Sequence, residues 1–186
     1  MDARPPSSDI HGLPDAASEL PWSAQFVMQA IEVLPVALEG GAIVSLKPAH
    51  ADSFVVGWPA GAKPEETAAQ VLGMLGLTPQ VLHSTSWRHA GTEVVLTYLA
   101  VLDPGCALPD SWVATPVAHT ELARGDETTP PPTIAVDQVL EHALRHLAWL
   151  SREDEVIGRA LPGWTRVLAG YVPEPFRALG GFEPPA

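Results

Sequence analysis

Cysteine and basic residues are both scarce in this 186-residue sequence. The single cysteine, Cys106, excludes a disulfide bond within the chain and is typical of a protein from a reducing cytoplasm. Ten lysines and arginines stand against 22 aspartates and glutamates, so the formal net charge is -12. Because phosphate binding needs clustered cations, we expect neither a nucleic acid nor an anionic membrane surface as a partner.

Long apolar runs are also missing. Glu, Gln or Pro interrupts each apolar segment before it reaches the roughly 20 residues that span a membrane. The first residues, MDARPPSSD, lack the basic start and apolar stretch of a targeting signal, so we predict a soluble, cytoplasmic protein. Hydrophobic residues make up 46% of the chain, which argues against general disorder, and the length suits one domain with appendages. The 20 prolines and 15 glycines, beside many alanines, indicate a GC-rich bacterial genome.

Acidic residues are absent between Glu66 and Glu93. This part of the chain contains most of the segment that gives the clearest guide to the fold. Residues 64–77, PEETAAQVLGMLGL, predict a short helix. Pro64 suits a first helical turn, the two glutamates after it favour the positive end of a helix, and Gly76 is placed to end it. The apolar residues at helical spacing are Ala68, Val71, Leu72 and Leu75.

The remaining pattern alternates strands and helices. The expected elements are, in chain order, a strand at 53–58, the helix at 64–77, a hairpin of strands 80–87 and 92–102 around residues 88–91, a strand at 112–117, a polar loop at 119–132, a long amphipathic helix at 134–150, and short helices at 153–161 and 163–171.

The N-terminal part of the pattern is ambiguous. Residues 23–34 predict a helix capped by Ser23, although their β-branched residues leave a strand as the alternative. Pro35 should end this segment, and Gly40 and Gly41 should form a turn between short strands on either side.

We divide the chain into a flexible arm (1–21), a domain (22–150) and a helical extension (151–186). The extension is expected to pack on the domain, with its tail contributing Phe176 and Leu179.

The order of the predicted elements resembles that of the Nudix hydrolase family: a strand, a loop, a short helix that ends in Gly-Leu, and two further strands. The resemblance implies an α/β/α sandwich with a mixed sheet. It also implies that glutamates on this helix bind a divalent metal ion on a nucleoside-diphosphate substrate. We align Gly76 and Leu77 with the end of the family motif. The Arg-Glu pair of the motif then falls on Ala69 and Gln70, and its Glu-Glu pair falls on Gly73 and Met74. An earlier glutamate of the motif falls near Gly61. The motif is therefore degenerate.

Two functions follow as hypotheses. In the first, the chain is a non-catalytic Nudix-like protein that binds a small, nucleotide-like ligand or a protein partner through the old substrate cleft, without a cofactor. Gly73 and Met74 would suit a buried or partner-facing surface. In the alternative, the chain is a Mg²⁺-dependent pyrophosphohydrolase that holds the metal with acids outside the usual positions. The acids considered for that role are Glu65, Glu66, Glu93 and Asp103, with Glu121 as a further carboxylate.

Residues 84–89 at the predicted hairpin tip are the candidate ligand site. Arg88 could bind an anion while Trp87 stacks on a base, although an ordinary polar turn would look the same. The complete candidate set is Trp58, Trp87, Arg88, His89 and Glu93.

Two further features concern metal binding and association. His142 and His146 lie four residues apart on the long helix, a spacing that binds zinc when a third ligand is supplied, but solvated histidines are the preferred interpretation and no metal site is predicted. Six tryptophans and an amphipathic C-terminal third predict a homodimer.

Overall fold

The computed structural model describes residues 28–123, 131 and 133–172, which form one mixed sheet with helices on both faces. Its strands are β1 (Met28–Glu39), β2 (Ala42–Pro48), β3 (Phe54–Gly57), β4 (Pro79–Ala90), β5 (Glu93–Leu102) and β6 (Trp112–Pro116). Its helices are α1 (Pro64–Met74), α2 (Val136–Glu153), α3 (Glu155–Ala160) and α4 (Trp164–Val167), followed by a 3₁₀ turn at Leu168–Gly170.

Strand β1 is the centre of the sheet. It pairs in parallel with β5 along nine residues and in antiparallel fashion with β3 and then β2, so that the strand order is β4-β5-β1-β2-β6 with β3 beside β1. The predicted α/β sandwich with a mixed sheet is confirmed.

The helix predicted at residues 23–34 is wrong for the described part of that segment, because β1 begins at Met28 and continues to Glu39. Pairing with strands on both sides overrides the helical spacing of its apolar residues. Pro35 does not end the strand either. It lies where the antiparallel partner changes from β3, which pairs up to Val33, to β2, which pairs from Val36, and in this gap a missing N–H group is tolerated.

The hairpin turn is also shorter than predicted. Strand β4 runs on to Ala90, so that Arg88 and His89 belong to the strand and only Gly91 and Thr92 form the turn. Gly91 has φ = 62°, a conformation that glycine adopts readily. The longer strand is stabilised by β5, with which it pairs as far as Ala90 and Glu93.

The two faces of the sheet carry separate apolar cores. Helix α1 covers one face with the buried residues Ala68 and Leu72, next to Leu77, which follows the helix. Helix α2 covers the other face, and its apolar stripe comprises Val139, Leu140, Ala143, Leu144, Leu147 and Ala148. Burial of these side chains is the main source of stability for such a sandwich.

The chain after α2 packs against the same core as α2. Asp154 accepts hydrogen bonds from the backbone N–H groups of Val156 and Ile157 and thereby starts α3. The buried side chains that follow are Leu161, Trp164, Leu168 and Tyr171. The predicted arm (1–21) and the tail with Phe176 and Leu179 lie outside the described residues, and the domain boundaries remain predictions.

Within residues 28–123 and 133–172, the helices are too short or too polar for a membrane-spanning segment.

Candidate ligand-binding cleft

Helix α1 presents to solvent the positions where the resemblance places metal-binding residues. Ala69, Gln70, Gly73 and Met74 are all exposed, and Met74 is 73% exposed. Because Gly73 and Met74 are exposed, burial within the chain does not explain why these two residues occupy the motif positions. The acids of α1 are confined to its first turn, where Glu66 pairs with Lys63 at 2.7 Å. The exposed face of the helix therefore offers a hard cation few oxygen ligands.

The other acids considered for a metal site are widely separated. Glu93 is the first residue of β5, whereas Asp103 follows its last residue. At about 3.3 Å per residue they lie roughly 30 Å apart and cannot share one ion. In the described part of the chain, no three His, Cys, Asp or Glu side chains are grouped so that they could hold a metal ion.

Arg88 is held in a buried ion pair. Its two terminal nitrogens donate to Glu32 Oε2 and Oε1 at 2.7 and 2.8 Å, and one of them also donates to Thr97 Oγ1 at 3.0 Å. The side chain of Glu32 is 1% exposed and that of Arg88 is 15% exposed. Ser53 donates a further hydrogen bond to Glu32 Oε1 at 2.7 Å. The charge of Arg88 is thus largely compensated within the protein.

The other candidate side chains of the hairpin lie on the opposite face of the sheet. Trp87 and His89 alternate with Arg88 along β4, and their rings contact each other with centroids 5.7 Å apart. Trp87 is 64% exposed. Alternation along the strand thus points the side chains of Trp87 and Arg88 to opposite faces, although both residues line the smaller concave region described below.

Trp58 and Glu93 lie near the same end of the sheet. The backbone N–H of Trp58 donates to the carbonyl of Gln29, and Glu93 pairs with Met28, so both flank the start of β1. The indole of Trp58 donates to the Ala62 carbonyl at 2.7 Å. The five predicted ligand residues thus lie towards one end of the sheet, on β4, on β5 and in the loop after β3, and they are divided between its two faces.

Two concave regions lie beside α2. The smaller, of about 160 Å³, is lined by Ser86, Trp87, Arg88, Leu122, Ala123, Ile134, Gln138, Val139 and His142. The larger, of about 700 Å³, is called here the β6–α2 cleft and is lined by Ser45, Lys47, Asp52, Thr115, Pro116, Val117, Ala118, His119, Thr120, Ile134, Ala135, Val136, Asp137 and Leu140. Only the larger volume lies within the roughly 300–1,000 Å³ typical of small-molecule sites.

The β6–α2 cleft has a cationic side chain on its sheet side. Lys47 of β2 pairs with Val113 of β6, so that its side chain stands beside the edge strand. Its ammonium group lies 3.7 Å from the carboxylate of Asp52, whose side chain is 89% exposed. The Lys47 side chain is 27% exposed, and a pair of this length with such an exposed carboxylate contributes little binding energy of its own.

The far wall of the cleft is fixed by a buried carboxylate. Glu141 of α2 is 2% exposed; its Oε1 accepts a hydrogen bond from Arg145 Nε at 2.7 Å. Its Oε2 accepts from the backbone N–H of Thr120 and lies 3.3 Å from Nδ1 of His119. The imidazole of His119 packs on the ring of Tyr171 at a centroid distance of 4.1 Å. Burial, together with the negative charge of Glu141, raises the pKa of Tyr171.

Comparison with solved structures identifies this architecture. NrtR from Shewanella oneidensis superimposes with a TM-score of 0.55 at 14% identity, covering 78% of this chain and 79% of NrtR. The same protein in complex with a 27mer DNA gives 0.52 at 14% identity, covering 77% of each chain. A MutT/nudix family protein from Enterococcus faecalis gives 0.50 at 8% identity, covering 73% of this chain and 68% of that one.

The fold is Nudix-like. At these identities the similarity concerns the Nudix-like fold alone. No protein-family model and no curated protein matches the sequence.

A cluster of histidines lies away from the cleft, between β4 and α2 of the Nudix-like fold. His83 and His146 have ring centroids 4.9 Å apart, and His146 stacks on Trp149. Burial lowers the pKa of both histidines, and the pKa of His146 is lowered further by His83 and His142. His83 Nε2 is buried without a hydrogen-bond partner among the described residues. These imidazoles are thus kept neutral by packing.

Sequence reasoning missed the residues that shape both polar clusters. Glu32 lies within an apolar strand and Glu141 borders the apolar stripe of α2, so each is an isolated acid among buried positions. Glu141 also precedes Arg145 by four residues, the spacing of a helical ion pair. An acid among buried positions and the helical ion-pair spacing were visible in the sequence. Neither signal shows that Glu32 contacts Arg88 or that Glu141 contacts Thr120.

Proposed function

We propose that this Nudix-like protein binds a small, anionic, nucleotide-like ligand in the β6–α2 cleft and does not catalyse metal-dependent hydrolysis. The observation that carries the proposal is the exposed surface of α1, where Ala69, Gln70, Gly73 and Met74 provide no carboxylate. Hydrolysis of a phosphoanhydride needs a metal ion to polarise the phosphate and activate water. Glu65 and Glu66 alone are too few and too exposed to replace that cluster.

The cleft supports binding by its size and its polar groups. Its volume of about 700 Å³ suits a small molecule, and Lys47 provides the cation for a phosphate or carboxylate. A DNA ligand such as the one in the NrtR complex is not proposed, because the net charge of this chain is -12.

A hydrolysis screen and a thermal-shift screen together test the proposal. Nucleoside diphosphate derivatives are incubated with the full chain and Mg²⁺ or Mn²⁺, and the same compounds are tested for an increase in the melting temperature. We expect no turnover, and stabilisation by a subset of compounds that disappears in Lys47→Met. Turnover that depends on metal and is lost in Glu65→Gln, Glu66→Gln or Glu93→Gln would overturn the proposal in favour of the hydrolase.

We further propose that the protein is a homodimer. Trp149 and Val156, which are 45% and 67% exposed, provide apolar surface on α2 and α3. Light scattering at micromolar concentration should give twice the chain mass of 19.7 kDa. A stable mass of one chain would contradict this.

A further inference from the structure

The two edges of the sheet differ in how they are protected. Strand β6 at one edge has five residues and contains Pro116, and short edge strands with proline resist pairing with another chain. Strand β4 at the other edge has 12 residues, and its one proline is its first residue. Among the described residues, β4 is paired only with β5, so its other side is called here the open edge. A long open edge can pair with a further strand.

The pairing with β5 indicates which backbone groups of β4 face the open edge. Ala90 and Glu93 flank the two-residue turn of the hairpin, so a backbone hydrogen bond joins them. Bonded and non-bonded pairs alternate along an antiparallel ladder, and the register is regular from Ser86 to this turn. The N–H and C=O groups of Trp87 and His89 therefore point away from β5. The described part of the chain offers them no backbone partner there.

Exposed apolar side chains lie close to β4 on both faces of the sheet. On the α2 face, Trp149 stacks on His146, whose ring contacts that of His83 in β4. Helix α3 packs against β4 on the same face and carries Val156, which is 67% exposed. Trp87 of β4 itself is 64% exposed on the other face. Apolar surface beside unpaired backbone groups is typical of a protein interface.

The charges of this edge allow two copies of the chain to meet there. Each chain has a formal net charge of -12, so much of its surface should repel a second copy. No Asp or Glu occurs between Glu66 and Glu93, a range that includes all of β4. Arg88 is the one lysine or arginine of β4, and its charge is compensated by Glu32. Two β4 strands thus bring neither a carboxylate nor an uncompensated guanidinium group into contact.

We propose that two copies of the chain pair in antiparallel fashion through β4, so that their sheets join into one continuous sheet. The same strand serves both copies, and its open backbone groups bond each other about a two-fold axis. The inference rests on the homodimer proposed above and assigns its interface. A stable interface takes about 20–30 residues from each partner. The 12 residues of β4 are too few alone, so Trp149 and Val156 contribute as well.

Amide hydrogen exchange tests the strand pairing directly. It is recorded by NMR on the full chain, at a concentration where light scattering gives twice the chain mass. In a single copy, β5 protects the N–H of Arg88, whereas those of Trp87 and His89 are open to water. In the proposed dimer all three should exchange slowly. Fast exchange at Trp87 and His89 in a dimeric sample would overturn pairing through β4 and leave the homodimer standing, whereas a wild type with the mass of one chain would overturn both.

His89→Pro and His89→Thr form a matched pair of variants. Proline removes the N–H that faces the open edge but no hydrogen bond to β5, and proline is tolerated at such edge positions. Threonine removes the imidazole and keeps the N–H. Sedimentation equilibrium should show a dimer dissociation constant raised at least about tenfold in His89→Pro, because the two-fold axis removes two hydrogen bonds at once, and nearly unchanged in His89→Thr. Equal dissociation constants for the two variants would overturn the inference.

Trp149→Lys keeps the test decisive if His89→Pro fails to fold, because it leaves β4 unchanged. Trp149 is 45% exposed on α2, so a lysine there can remain solvated in the single copy but places a charge in the proposed interface. The control is Val113→Lys, at an exposed position of β6 on the opposite edge. Trp149→Lys should shift the mass towards one chain, and Val113→Lys should not. Dissociation by Val113→Lys but not by Trp149→Lys would overturn the inference in favour of an interface at β6.

Discussion

The buried pair of Glu32 and Arg88 allows the most direct test of what stabilises the sheet. Replacing Arg88 by Met preserves much of the side-chain volume but removes both hydrogen bonds to a carboxylate that is 1% exposed. Among the described residues, the donors that remain for this carboxylate are Ser53 Oγ and Thr97 Oγ1, which lies 3.2 Å from Glu32 Oε2. An uncompensated charge in such a site typically costs about 3–5 kcal/mol. This is a large share of the about 5–15 kcal/mol by which domains are stable.

An exposed ion pair of equal length provides the control. Lys63 and Glu66 are also 2.7 Å apart, but their side chains are 68% and 67% exposed. Lys63→Met should therefore cost less than about 1 kcal/mol. The two pairs have the same shortest N···O distance but differ in burial and in the number of hydrogen bonds, so the comparison shows how much more the buried, bidentate pair contributes.

Urea unfolding followed by tryptophan fluorescence measures both variants. With a slope of about 2 kcal/mol per molar urea, Arg88→Met should lower the midpoint by roughly 2 M and Lys63→Met by less than about 0.5 M. The double variant Glu32→Gln/Arg88→Met should be more stable than Arg88→Met, because it leaves no buried charge. Equal effects of Arg88→Met and Lys63→Met would refute the reasoning. If Arg88→Met fails to fold, Thr97→Val provides a milder test of the same cluster.

Three further outcomes are expected. Burial lowers the pKa of His83 and His146, so on acidification the unfolded chain binds more protons than the native state. Stability should therefore fall as the pH drops below about 6.5. His83→Phe should reduce this loss, measured as the change in the urea midpoint between about pH 7.5 and 5.5. Gly76→Ala should destabilise the protein by about 1 kcal/mol, because Gly76 has φ = 74°. Gly73→Ala should instead stabilise it by about 0.5–1 kcal/mol, because Gly73 lies within α1 and has open space around it. The melting temperatures of the two variants should therefore shift in opposite directions. Leu144→Ala should cost about 2–5 kcal/mol, since Leu144 is 0% exposed; a loss below about 1 kcal/mol would contradict its place in the core.

Most of the elements are determined by local sequence. Pro64, the glutamates after it and Gly76 act within one or two helical turns, and α1 forms where they indicate. The long apolar stripe of α2 acts over a similarly short range. Such signals are readable because a helix or strand must present its apolar side chains with its own period.

The ambiguous segment around β1 required the tertiary structure. Its apolar spacing is compatible with a helix, and Pro35 locally indicates an end. Only the pairing of β1 with β5 on one side, and with β3 and β2 on the other, makes the strand the stable state. Those partners lie far away in sequence, so no local window contains the deciding information.

The candidate site depended even more on tertiary contacts. The sequence by itself determined that α1 carries no acid beyond its first turn, which is the main argument about catalysis. It did not reveal that Arg88 meets Glu32, 56 residues away, or that Glu141 meets the backbone of Thr120, 21 residues away. A buried carboxylate is stable only where donors from other elements converge on it, and that convergence arises when the sheet and α2 pack together.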